Sequence, residues 1–178
     1  MKFSWIICAF LHLFCSCLVG EENFILVDGT SHEKVVEIGP HLDERVTPCS
    51  TFKIALSLMG FDSGILVDEN MPVWVFQEGY DDFLESWKKP QTPRSWLKNS
   101  CVWYSRILAA KLGIKIFQAY LAALNYGNQD ASGGLTGAWL SSSLKISPRE
   151  QTMLHGKRHG YRNLIINGYC QYGLIREN

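Results

Sequence analysis

Ser50 and Lys53 lie three residues apart in the segment TPCSTFK, residues 47–53, which places a hydroxyl one helical turn before an amine. On a helix, side chains at this spacing share a face, so the lysine can be the base that activates the serine as a nucleophile. The bare pattern S-x-x-K is weak, because an isolated copy is typical of a helix cap followed by a solvated lysine. The spacing recurs at four other places: Ser31/Lys34, Ser86/Lys89, Ser95/Lys98 and Ser142/Lys145.

The residues around Ser50 and Lys53 predict a helix that could bury the amine. The apolar segment from Phe52 to Met59 stops at Gly60, which indicates a helix with Ser50 near its positive end. Lys53 can serve as a base only where burial keeps its amine neutral. The candidates for an apolar lining are Phe52, Val102, Trp103 and Trp139.

Strands precede this helix and further helices follow it. Asn23 to Val27 and Lys34 to Gly39 are β-prone runs joined by polar turn residues, which predicts a hairpin. Thr92-Pro93 supplies an N-cap with proline at the first helical position. Val102 to Leu112 and Ile114 to Leu124 are predicted to be two helices separated by a glycine.

The first residues have the pattern of a secretory signal peptide, with Met1-Lys2, an apolar run from Phe3 to Phe14 and small residues up to Gly20. We assign residues 1–20 to this signal and expect an exported, periplasmic protein. No stretch approaches the roughly 20 apolar residues that a membrane-spanning helix needs. The zero formal net charge, with no basic and aromatic patch before the tail, predicts no nucleic-acid partner.

Three of the six cysteines fall within the predicted signal, and the three that remain cannot form a closed disulfide framework. Of these, Cys49 and Cys101 each adjoin a candidate catalytic serine. We expect both to be small buried hydrophobic residues, and a disulfide between them is the alternative. No role is predicted for Cys170. No metal site is expected, since glycines interrupt the helix on which His155 and His159 would need to lie.

Four motifs occur in a fixed order: P-x-S-T-F-K at 48–53, S-x-V with Trp-Tyr-Ser at 100–105, Y-G-N at 126–128, and S-G-G-x-x-x-x-W-L at 132–140. By these motifs the chain resembles the class D, oxacillinase-type serine β-lactamases, from about residue 23 to residue 151. The resemblance implies an α+β fold of the serine β-lactamase and penicillin-binding transpeptidase type. It implies hydrolysis of penicillin-type β-lactams through a serine acyl-enzyme.

The resemblance also assigns roles to individual residues. Ser50 is the expected nucleophile, and Ser100 is expected to pass a proton to the leaving ring nitrogen. In this family the lysine, here Lys53, adds carbon dioxide to become a carbamate that serves as the general base, and no other cofactor is implied. Trp139 is expected to support the carbamate. The remaining assignments are an apolar gate formed by Val102 and Leu140, and a structural role for Tyr126, Gly127 and Asn128.

The family's Lys-Thr-Gly or Lys-Ser-Gly strand motif does not occur in this sequence. We therefore expect the C-terminal strands of the sheet to be missing, together with one oxyanion donor. Ser147-Pro148-Arg149-Glu150 has the pattern of a helix start, yet the apolar period is lost soon after it and basic residues dominate. This change predicts a partial catalytic domain over 21–151 and an atypical tail over 152–178, from a truncated or frame-shifted gene product in which no helix follows.

Three functional interpretations stay open at this point. The first is a β-lactamase whose activity is reduced by the missing motif. The second is an inactive exported fragment with an interaction role. The third is a penicillin-binding sensor domain that stays acylated, although such domains normally follow several membrane spans. A β-lactam is the expected small-molecule partner, and the sequence leaves the oligomeric state open.

Overall fold

The structure is a computed structural model that describes residues 22–28, 31 and 33–154. The predicted signal peptide and the tail from residue 155, with His155, His159 and Cys170, lie outside these residues. The strands are β1, Phe24–Val27, and β2, Lys34–Ile38. The helices are α1, Lys53–Asp62; α2, Pro93–Lys98; α3, Val102–Ala123; and α4, Pro148–Met153. Short 3₁₀ turns lie at Cys49–Phe52 and Glu85–Lys88.

The predicted hairpin is confirmed. β1 and β2 pair antiparallel, with Phe24 opposite Ile38 and Leu26 opposite Val36. They form the only sheet within the described ranges, so the fold is α+β, with helices beside a small antiparallel sheet. Two strands alone are marginally stable, and several of their apolar side chains are exposed, including Val35. Within the described residues the sheet is thus limited to two strands, which is consistent with the missing strands that the sequence predicted.

Helix α1 runs through Gly60 and ends at Asp62, so the predicted stop at Gly60 is wrong. The glycine serves close packing. A Cβ atom at this position would lie 2.8 Å from Leu66 Cδ1 and 3.0 Å from Leu108 Cδ2. Because the site has no room for a side chain, glycine is needed inside the helix despite its cost in helix propensity.

Helix α3 supplies the other side of the main core. It is interrupted at Gly113, where φ is 74° and ψ is 156°, and this confirms the predicted division into two helical segments. Leu108 and Phe117, on either side of the break, are fully buried in one apolar cluster with residues of α1. No helix in the described part of the chain is long and apolar enough to cross a bilayer.

Both predicted capping residues begin helices. Thr92 accepts from the Ser95 N–H at the start of α2, and Ser147 accepts from the Glu150 N–H at the start of α4. The expectation that no helix follows residue 147 is wrong, since α4 forms and crosses the predicted boundary between residues 151 and 152. Ion pairs connect α4 to the chain that precedes α1: Arg149 pairs with Asp43 at 2.7 Å, and Glu150 pairs with Arg45 at 2.5 Å. The division into domain and tail stays a prediction.

Candidate active site

Ser50 and Lys53 lie at the junction between the 3₁₀ turn Cys49–Phe52 and helix α1. A 3₁₀ helix has 3.0 residues per turn, so side chains three positions apart are stacked above one another. The Lys53 Nζ atom accordingly lies 3.2 Å from the Ser50 Oγ atom. The first turn of the helix therefore produces the contact between hydroxyl and amine that the spacing predicted.

Lys53 is buried, which distinguishes it from the lysines of the other S-x-x-K copies. Only 3% of Lys53 is exposed, whereas Lys34, Lys89, Lys98 and Lys145 are all exposed. Burial penalises the charged amine and lowers the pKa of Lys53 from 10.5 to about 8, against a smaller opposing effect of the neighbouring cysteine thiols. A pKa of about 8 leaves about a tenth of the amine neutral at pH 7.

Ser100 makes a second hydrogen bond to the Ser50 hydroxyl. Its hydroxyl donates to Ser50 Oγ at 2.8 Å, although the two residues are 50 positions apart in the chain. Ser100 lies between α2 and α3 with φ at 52°, a left-handed conformation that is unfavourable for a non-glycine residue and is often found at functional sites. The structure thus joins Lys53, Ser50 and Ser100 in one hydrogen-bonded chain.

The two cysteines beside these serines differ in environment. Cys101 is fully buried, as predicted, and burial raises the pKa of its thiol to about 11. Cys49 is exposed, so its predicted burial is wrong; it begins the 3₁₀ turn with φ at 47°, and this backbone places it at the surface. Both thiols are free, so the alternative of a disulfide between them is not realised.

Trp139 flanks the Ser50–Lys53 turn at both ends. Its carbonyl accepts from the Cys49 N–H at 3.0 Å, and its ring stacks on Phe52 with centroids 5.1 Å apart. Cys49 directly precedes Ser50, and Phe52 directly precedes Lys53. Trp139 is 1% exposed, yet no residue that the structure describes accepts a hydrogen bond from its indole N–H. A buried donor without an acceptor is costly and calls for a partner.

The two residues predicted to form an apolar gate are both half-buried and packed against the core. Val102 is the first residue of α3, two positions after Ser100, and Leu140 directly follows the buried indole. Trp103, a predicted lining residue, packs in a separate aromatic cluster. Its ring stacks on Tyr80 at 5.4 Å, and its N–H donates to the Trp87 carbonyl at 2.9 Å.

The Y-G-N motif closes the loop that carries the tryptophan. Tyr126 is buried edge-on against Phe52 at 5.2 Å, and this burial raises its pKa. The Asn128 side chain donates to the Ser143 carbonyl at 2.8 Å and accepts from the Lys145 N–H at 2.9 Å. Gly127 has φ at 49°, and a Cβ there would lie 1.9 Å from the Lys145 carbonyl oxygen. Hydrogen bonds of the Asn128 side chain therefore fix the motif to the backbone of residues 143 and 145.

Thr47 also contacts this loop and was not singled out from the sequence. Its hydroxyl donates to the Trp139 carbonyl at 3.0 Å and accepts from the Ser141 N–H at 3.0 Å. The partners lie more than 90 positions downstream, with 94 positions between Thr47 and Ser141. No local pattern signals such a contact.

Comparison with known proteins gives a consistent family. The model of the penicillin binding protein transpeptidase domain matches residues 38–156. β-Lactamase OXA-9 of Klebsiella pneumoniae is 41% identical over 134 residues, which are 71% of this chain and 48% of that protein. β-Lactamase OXA-1 of Escherichia coli is 37% identical over 167 residues, 85% of this chain and 59% of that protein. The chain thus spans about half the length of the curated relatives it matches.

Solved structures agree with this assignment. The class D β-lactamase OXA-427 superposes with a TM-score of 0.70 at 45% identity, covering 75% of this chain and 57% of that one. A class D β-lactamase from Bacillus subtilis gives a TM-score of 0.70 at 34% identity, covering 80% of this chain and 59% of that one. The chain therefore belongs to the penicillin-binding protein transpeptidase domain family and, within it, to the class D β-lactamases.

Proposed function

We propose that this chain carries the acylating centre of a β-lactam hydrolase, with Ser50 as nucleophile and Lys53 as its base. One observation carries the proposal. The Ser50 Oγ atom lies 3.2 Å from the Lys53 Nζ atom and 2.8 Å from the Ser100 Oγ atom, and the lysine is buried. A nucleophile in contact with both a base and a proton carrier can attack a cyclic amide and protonate its leaving nitrogen.

The reaction follows from these positions. The base removes the proton from Ser50 Oγ, and the oxygen attacks the lactam carbonyl carbon to form a tetrahedral oxyanion. The ring C–N bond then breaks, and the departing nitrogen takes a proton through the Ser100 hydroxyl. The acyl ester on Ser50 is released when water, activated by the same base, attacks its carbonyl carbon.

The Ser50 N–H is the proposed donor to the oxyanion. Nothing in the described part of the chain accepts a hydrogen bond from it, and it lies at the start of the helical segment, where the backbone dipoles favour negative charge. The second donor of the family belongs to the strand motif that is missing from this sequence. Removal of one oxyanion-hole donor typically costs about 10²–10³ in turnover, so we propose that hydrolysis by this chain is slow.

The surroundings of Lys53 fit carbon dioxide bound as a carbamate. A neutral amine is the form that reacts with carbon dioxide, and burial of Lys53 favours this form. The buried indole N–H of Trp139, which has no acceptor in the described residues, would donate to the carbamate oxygen. When bound, the group supplies a carboxylate-type base. Phe52, Trp139 and Lys53 are all at most 3% exposed, so little water reaches this part of the site.

We also propose that the protein is exported, because residues 1–20 have the sequence pattern of a cleavable signal. The periplasm is where β-lactams meet their cell-wall targets, so export is consistent with the proposed substrate. Edman sequencing of the protein from a periplasmic extract checks this proposal. A protein found only in the cytoplasm with an intact N-terminus contradicts it.

Intact-mass spectrometry after brief incubation with a penicillin tests the proposed nucleophile. The wild-type chain is expected to gain the mass of one penicillin, and S50A to gain none. S86A is the matched control, because Ser86 begins another S-x-x-K copy whose lysine is exposed. An adduct that persists in S50A refutes the assignment. An adduct that forms on wild type and never turns over supports the penicillin-binding alternative over hydrolysis.

A further inference from the structure

The Trp139 loop, residues 130–147, meets the nucleophile segment at Thr47. The Thr47 hydroxyl donates to the Trp139 carbonyl and accepts from the Ser141 N–H, each at 3.0 Å. A hydroxyl has one hydrogen to donate, and here it is used on the loop. The Cys49 N–H donates to the same Trp139 carbonyl at 3.0 Å. The Thr47 hydroxyl and the Cys49 N–H, on either side of Pro48, therefore both donate to the Trp139 carbonyl.

The backbone at Ser141 needs such support. Its φ is 51°, in the left-handed region, which costs a non-glycine residue free energy that the surroundings must offset. The Thr47 hydroxyl is the group that takes up the Ser141 N–H. Without that hydroxyl, Cys49 still holds the Trp139 carbonyl and the bridge between Val46 and Ile146 still holds the far end of the loop, but the Ser141 N–H between these two attachments loses its acceptor.

We propose that Thr47 is a positioning residue for the lysine base. Its hydroxyl fixes the backbone from Trp139 to Ser141 against the turn that carries Ser50 and Lys53. The indole N–H and the Leu140 side chain are thereby held where a carbamate on Lys53 needs a donor and an apolar cover. This inference rests on the proposed function, because it concerns the retention of carbon dioxide on that lysine.

Three single substitutions isolate the hydroxyl. T47V keeps the shape of the side chain and removes both hydrogen bonds, whereas T47S keeps the hydroxyl and removes only the methyl group. T136V is the matched control, since Thr136 lies in the same loop and its hydroxyl makes no hydrogen bond to a residue in the described ranges. If T47V does not fold, the comparison of T47V/S141G with S141G carries the test, because glycine adopts a φ of 51° without strain and the two variants differ only in the hydroxyl-bearing side chain.

The readout is the carbamate signal in ¹³C NMR spectra of the full chain, titrated with ¹³C-labelled bicarbonate. It requires no turnover. Wild type, T47S and T136V are expected to half-saturate at the same bicarbonate concentration. T47V is expected to need about tenfold more bicarbonate, the size of effect typical of losing the hydrogen bonds of one hydroxyl. Rescue by serine is the result that a general packing role of the threonine would not give.

The outcomes separate the two proposals. Equal half-saturation of T47V and wild type overturns the role of Thr47 and leaves the carbamate intact. A loss in T47S as large as that in T47V also overturns it, because the hydroxyl is then not the active feature. A wild-type chain without a carbamate signal at any bicarbonate concentration refutes the carbamate base, and the role of Thr47 fails with it.

Discussion

Replacing Lys53 with methionine is expected to stabilise the protein while abolishing its chemistry. The pKa of Lys53 is lowered from 10.5 to about 8 because burial disfavours the charged amine. Each pKa unit corresponds to about 1.4 kcal/mol, so burial of the Lys53 amine lowers the free energy of unfolding at pH 7 by about 3 kcal/mol. Methionine has a similar length and no charge, and it removes that cost. We expect K53M to gain about 1–3 kcal/mol at pH 7, since it also loses the contact with Ser50.

The pH dependence of the free energy of unfolding provides a second test of this burial cost. Between pH 8 and 10.5 the unfolded lysine keeps its proton and the folded lysine has lost it, so wild-type stability gains from rising pH there. The advantage of K53M should therefore shrink across this window and be small above it. The raised pKa of Cys101 lowers stability at high pH in both proteins, and this contribution differs between them only through the smaller charge interaction of the thiol with Lys53.

Urea unfolding of wild type and K53M in carbon dioxide-free buffer at pH 7 and pH 10 measures these quantities. K145M serves as control, because Lys145 is exposed and its replacement should change stability by less than about 0.5 kcal/mol. If K53M is less stable than wild type at pH 7, or if it is more stable by the same amount at both pH values, burial of the charged amine does not lower the stability of the wild-type protein.

Two further predictions concern the rest of the site. S100A is expected to slow acylation by a penicillin by about 10²-fold or more, because it removes the proton carrier at 2.8 Å from Ser50; rapid-quench mass spectrometry measures the rate, and a rate equal to that of S86A contradicts this role. G127A is expected to destabilise the fold by about 3 kcal/mol, because its Cβ would meet the Lys145 carbonyl oxygen and its φ is left-handed; an unchanged urea midpoint would show that the loop can move aside.

Local sequence patterns predicted the elements whose causes are local. The prolines after Thr92 and Ser147 mark real helix starts, since a capping hydroxyl and a fixed φ act within one turn. The break at Gly113 was also predicted, because its cause is local: glycine readily adopts the positive φ that interrupts the helix there. The contact between Ser50 and Lys53 also depends only on four consecutive residues of one turn.

Features that depend on distant packing escaped prediction. Gly60 was interpreted as a helix stop, because the side chains of Leu66 and Leu108 that exclude a Cβ there belong to other parts of the fold. Burial of Cys49 was predicted from residue type, but the backbone of the turn decides its exposure. Thr47 has no signal in the sequence, because both of its loop partners lie more than 90 positions downstream, the farther one at a separation of 94 positions.

The uncovered side chains of the small sheet have a practical consequence for anyone who handles the protein. Phe24, Val35 and Ile38 are each more than half exposed, on strands whose outer backbone groups have no neighbouring strand in the described structure. Such an edge is a template for further strand addition by any extended chain nearby. Aggregation should therefore limit the concentration at which the protein stays in solution. A charged replacement such as V35K should raise this solubility limit.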